Sequence, residues 1–185
     1  MTTSRLGKEF FRILDERIGP FDRPMKFRVF PFDLGGALNF LTIAAREDRF
    51  VTYVSWDLLG HPEQKRGRLG RYELLCTCDD ETWCAEVLTC VGRMSLHEVF
   101  DPEHTLDIGA WVDSDACLQG LVFEEAFNTE VWDGNRREQC GLLRCIGVTR
   151  AELEFSLDRG VRETIVRLKA ARIYPRTVTH RGSVI

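Results

Sequence analysis

Arg71-Tyr72-Glu73-Leu74-Leu75-Cys76-Thr77-Cys78 runs straight into Asp79-Asp80-Glu81 and the segment that follows, and a change of period at this junction decides the fold class. Side chains alternate along a strand, so Tyr72, Leu74, Cys76 and Cys78 share one face. Past Asp79 the spacing becomes helical: Trp83, Val87, Cys90 and Met94 form a stripe flanked by Cys84, Leu88 and Val91. The acids at 79–81 stand where a helix dipole favours negative charge.

Working outward, Leu38 to Ala45 and Phe50 to Leu59 read as two strands joined by the charged turn Arg46-Glu47-Asp48-Arg49, hence an antiparallel pair. Gly60 to Gly70 reads as a polar loop. Before them, Leu6, Phe10, Ile13, Leu14 and Ile18 fall on one helical face, stopped by Gly19-Pro20. Pro20, Pro24 and Pro31 then punctuate an extended stretch, and Asp33-Leu34-Gly35-Gly36 signals a turn.

Beyond the central helix, His104 to Val112 and Leu121 to Phe127 read as strands, with a polar loop from Asn128 to Glu138 around Trp132. Cys140 to Val148 is a buried strand. Thr149-Arg150-Ala151-Glu152 has the pattern of a capping box, opening a short helix that ends at Gly160. The alternation of Ala151, Leu153, Phe155 and Leu157 would also suit a strand; the cap favours the helix. A last helix carries Val161, Ile165 and Leu168, with Glu163 and Arg167 paired four residues apart. Ile173 to Ile185 reads as a closing extended segment. Strand pairs alternating with single helices predict an α+β (α/β layered) domain. Its single sheet is expected to be mixed, largely antiparallel and packed with helices.

With 185 residues, one domain over 1–185 is expected. A hydrophobic fraction of 44% and a charged fraction of 29% argue against a disordered or membrane chain. A net charge of −4 argues against nucleic acid and gives a weak pointer to a basic partner. The polar opening and seven cysteines, several inside apolar patterns, suggest a reduced cytoplasmic protein.

Chemical motifs are sparse. Cys90, His97 and His104 are spaced by sevens, but Asp101-Pro102 breaks any helix joining them as metal ligands. Cys76-x-Cys78 lacks zinc-knuckle spacing and a second pair. Cys117, near Asp113 and Asp115, is the best thiol nucleophile, with His97 or His104 as its base, yet no nucleophile signature surrounds it. No phosphate-cradling loop, nucleophile elbow or metalloprotease motif occurs, so neither catalysis nor a cofactor is expected. Trp132, with Glu124, Glu125 and Asp133 nearby, has the make-up of an aromatic anchor rimmed by acids, as at protein interfaces. The plainer reading has the tryptophan capping the core.

Three blocks resemble the suppressor-of-fused family. They are Phe50-Val51-Thr52-Tyr53-Val54-Ser55-Trp56-Asp57-Leu58-Leu59-Gly60, Gly70-Arg71-Tyr72-Glu73-Leu74-Leu75, and Leu142-Leu143-Arg144-Cys145-Ile146-Gly147-Val148-Thr149 with Glu152-Leu153 behind it. The tail from Ile173 to Val184 is similar to the family's closing segment, whereas residues 1 to 35 add little. The resemblance implies a non-enzymatic protein-binding domain. Animal members include a larger, two-domain regulator that sequesters zinc-finger transcription factors. Short single-domain members are associated with bacterial polymorphic toxin systems as immunity proteins. The implied partner is therefore a cognate toxin, or alternatively a transcription factor or effector held by a regulatory adaptor. Among the family's contact positions Tyr53 has a match, while Gly60-His61-Pro62 stands where an acidic contact would be.

Overall fold

The computed structural model describes residues 4–18, 28–29, 40–47, 49–56 and 58–185. Seven strands among them form one sheet: β1 (Arg28–Val29), β2 (Phe40–Glu47), β3 (Phe50–Trp56), β4 (Arg71–Cys78), β5 (Thr105–Asp107), β6 (Gly120–Asp133) and β7 (Arg136–Val148). The spatial order is β1-β2-β3-β4-β7-β6-β5. Only β4 and β7 run parallel; every other neighbouring pair is antiparallel. The sheet is mixed and largely antiparallel, as the strand pattern requires.

Helices cover both faces. The α2 helix (Glu81–Met94) packs on the side of Tyr72, Leu74, Cys76, Leu121, Phe123, Leu143 and Cys145. Asp80 caps it, its Oδ1 accepting from the amides of Thr82 (2.9 Å) and Trp83 (3.0 Å). On the other face, α1 (Arg5–Ile18) buries Leu6, Phe10, Phe11 and Leu14 against Val54, Leu59, Val131, Cys140 and Leu142. The same face carries α3 (Arg150–Arg159) and α4 (Val161–Ala170), which cover Val122, Ile146 and Val148. Both bonds of the Thr149–Glu152 capping box form, which settles the 150–159 segment as helix.

Three expectations are corrected. The polar stretch Asn128 to Glu138 is not a loop: β6 and β7 pair continuously from Gly120↔Val148 to Asp133↔Arg136, with one irregularity between Glu125 and Phe127. Val131, Phe127 and Cys140 rest on α1, and this apolar contact holds an otherwise polar hairpin in place. The strand anticipated over His104 to Val112 shrinks to Thr105–Asp107, and turns follow it. The tail after α4 is irregular: its one backbone bridge to the sheet among the described residues joins Cys78 and Thr177, and side-chain bonds at Tyr174, Thr177 and Arg181 tie it to β6 and β7. The Gly19-Pro20 stop, most of the 20–32 stretch and the 33–36 turn fall outside the described residues.

Candidate functional site

The short β5 shapes the site. Its pairing to β6 covers Gly120 to Val122 and is prolonged by two backbone bonds, Phe123 N to His104 O (3.0 Å) and Glu103 N to Phe123 O (2.8 Å). Beyond Phe123, β6 has only β7 beside it among the described residues. An open strand edge of this kind presents unpaired backbone groups to a partner. Next to it lies a cleft of about 500 Å³, between β6, α4 and the turn at 101–103. Phe123, itself fully buried on the α2 side, borders the cleft at the strand, and Ile165 and the exposed Val166 of α4 form an apolar wall.

Charges around the cleft are mostly committed. Glu124 Oε2 accepts from Arg144 Nη1 at 2.9 Å and from the Tyr174 hydroxyl at 2.7 Å, while Arg144 Nη1 also donates to the Tyr174 oxygen at 2.8 Å. Burial, then the bond to Glu124, pushes the Tyr174 hydroxyl above its ordinary pKa, so it stays a donor. Arg162 is held by Glu103 at 2.6 Å, Arg68 faces Asp101 at 3.9 Å, and the Lys169 ammonium sits 4.4 Å from the Tyr174 ring centroid. Glu125 is different: exposed on the cleft wall, it makes no side-chain hydrogen bond or ion pair among the described residues. It is therefore the charge most available to a ligand.

Of the four residues singled out from sequence, only Glu124 and Glu125 come together here. Trp132 is seven residues further along β6, roughly 23 Å at the rise of a strand. It is 54% exposed, with the Arg137 guanidinium 4.9 Å from its ring centroid, so it decorates the hairpin tip and does not cap the core. Tyr53 has 0% exposure, its hydroxyl donating to Glu81 Oε2 at 3.1 Å. Cys117 is exposed in the turns after β5 and has no hydrogen bond to a histidine among the described residues. His104 Nδ1 accepts from the Asp101 amide (3.3 Å), and Cys90 and His97 line a separate groove.

Arg144 and Tyr174 were not anticipated. Arg144 had a signal: Leu142, Ile146 and Val148 share its strand face, so a cation there needs a buried acid opposite, and Glu124 is its register partner. Tyr174 sits in the tail and had none.

A layered α+β fold whose sheet edge is unfinished among the described residues, beside a cleft of mixed charge, has the kind of surface on which another polypeptide can be bound. The family model for "Suppressor of fused protein (SUFU)" matches residues 36–181. The chain belongs to the suppressor of fused family. In the Sufu-Fu complex crystal structure, a similar fold (TM-score 0.75, 15% identity) covers 99% of this chain and 93% of that one. The crystal structure of Drosophila Suppressor of Fused is similar at TM-score 0.63 and 16% identity over 82% of this chain, which spans 44% of the Drosophila one. At these identities the likeness shows the fold alone. No curated protein matches the chain by sequence.

Proposed function

We propose that the chain works by binding a protein partner at the β6 edge and its cleft, and that this partner is a cognate toxin which it neutralises as an immunity-type protein. The observation carrying this reading is Glu125, an uncommitted carboxylate beside the apolar wall of α4 and a strand edge left open among the described residues. Backbone pairing supplies affinity, and the acid selects a basic segment. The hairpin tip, with Trp132 exposed over Arg137, offers a second contact on the same strand. Binding of this kind blocks by covering; it needs no cofactor and no chemistry from the chain itself.

Family membership and the Sufu-Fu complex favour a second reading, a regulatory adaptor that holds a transcription factor or effector. Co-expression separates the two. A partner that arrests growth alone and is harmless beside this chain supports immunity, whereas a non-toxic regulator transfers the role to the adaptor. For a thiol-dependent enzyme, Cys117→Ala would abolish function without changing stability; unaltered function in that variant disposes of it.

A further inference from the structure

A different groove, at the C-terminal end of α2, carries an independent inference. The groove holds about 420 Å³, and Met94, Leu96 and Trp111 give it an apolar side, with Trp111 38% exposed. Through Glu63, Leu96 and His97 it continues into a polar recess that includes Lys65, Arg66 and Arg71. In a chain of net charge −4 this strip is cationic, with Glu63 as its one lining acid.

Two of those cations are already engaged. Arg66 pairs with Glu138 at 3.1 Å, and Arg71 Nη1 donates to the carbonyls of Leu59 (3.1 Å) and His61 (2.5 Å). Arg93 and Lys65 are exposed, and neither they nor His97 make a side-chain hydrogen bond or ion pair among the described residues. Their backbone is nevertheless fixed: Lys65 N donates to Ser95 O (2.9 Å), His97 N to Met94 O (2.9 Å), and Trp111 N to Ile108 O (2.8 Å). A firm framework that presents uncommitted cations next to exposed apolar surface is complementary to an acidic chain with one apolar side chain.

We infer that this groove binds an acidic segment of a protein partner, its carboxylates on Arg93, Lys65 and His97 and an aliphatic or aromatic anchor against Met94 and Trp111. It is a second surface, more cationic than the mixed-charge β6 cleft. One partner with a charge-alternating face, or two partners at once, would satisfy both.

The probe is a fluorescein-labelled peptide of glutamate and aspartate with one central leucine, titrated by anisotropy at low salt, with amide shifts followed by NMR. Binding is expected to weaken about tenfold in Arg93→Glu, since a like charge replaces an attractive one. Lys65→Glu, at an exposed position, should weaken it in the same direction, as should serine in place of the peptide's leucine. Shifts should gather on residues 63–65, 90–97 and 111, and Glu125→Lys should bind the peptide like the parent. No binding, binding by both charge-reversal variants as tight as the parent's, shifts centred on the β6 cleft, or tighter binding of an oligouridine of the same length would each overturn the inference. Because Glu125→Lys tests the other surface, failure here is distinct from failure of the proposed function.

Discussion

Glu152 is 0% exposed and gripped by Arg181 through two bonds of 2.5 and 2.7 Å, with the amides of Thr149 (2.9 Å) and Val184 (3.0 Å) also donating to it. Burial alone would raise its pKa, but the bonds from Arg181 and the two amides outweigh it and hold the carboxyl below its ordinary value. Removing the cation strands a buried anion, so Arg181→Met should cost about 3–5 kcal/mol in urea unfolding at pH 7. With the folded pKa below the unfolded one, the unfolded chain takes up more protons on acidification. The ion pair's contribution is thus complete above about pH 4.3 and fades as pH falls through the lower folded value. Urea midpoints of parent and Arg181→Met should therefore converge toward pH 3; a gap that stays constant would show that Glu152 is not the anion involved. Glu125 makes the contrasting case. Exposed and unpaired, it should tolerate Glu125→Lys with a stability change within about 0.5 kcal/mol, measured by the same unfolding curves.

The β6–β7 hairpin is the element on which the sequence reading and the structure differ most. Periodicity is weak from Asn128 to Glu138 because both hairpin arms are largely wet there, and within that stretch only Val131 is buried on the α1 side. Reading Asn128 to Glu138 as a loop passed over one signal: Gly134-Asn135 is a two-residue hairpin pair, and Gly134 adopts φ +64°, which glycine permits without strain. A Cβ at Gly134 meets nothing within 4 Å, so Gly134→Val isolates the backbone cost. That cost is about 1–2 kcal/mol, and amide exchange should quicken at the hairpin tip while β4 keeps its protection. The elements read correctly are those with a dry side or a strong cap: β4 against α2, and α3 behind Thr149. Of the site, Glu124 and Glu125 were visible as adjacent acids. Their separation into a bound and an uncommitted carboxylate depends on Arg144 and Tyr174, which register and the folded-back tail deliver.

For the whole molecule, burial separates the seven cysteines more sharply than their spacing does. Five are buried, Cys90 is half-buried and Cys117 is exposed. Burial pushes the Cys78, Cys84 and Cys145 thiols up and takes Cys140 to about 12, so these are poor nucleophiles. Ellman titration of the folded protein should show one fast thiol, lost in Cys117→Ala, then a slower one from Cys90; the rest should react only on unfolding. No helix among the described residues is long and apolar enough to cross a membrane. Among the described residues the architecture leaves two kinds of surface, a mixed-charge cleft at an open sheet edge and a cationic groove at the end of α2. Protein binding at the first of these is the central proposal. Affinity capture of the tagged chain from its native cells, run beside Glu125→Lys and with retained proteins identified by mass spectrometry, tests it most directly. A single stoichiometric partner held by the parent and lost or at least tenfold depleted in Glu125→Lys is the expected result. A partner retained equally by both, or by a protein whose β6 edge remains open to exchange in the complex, would contradict it.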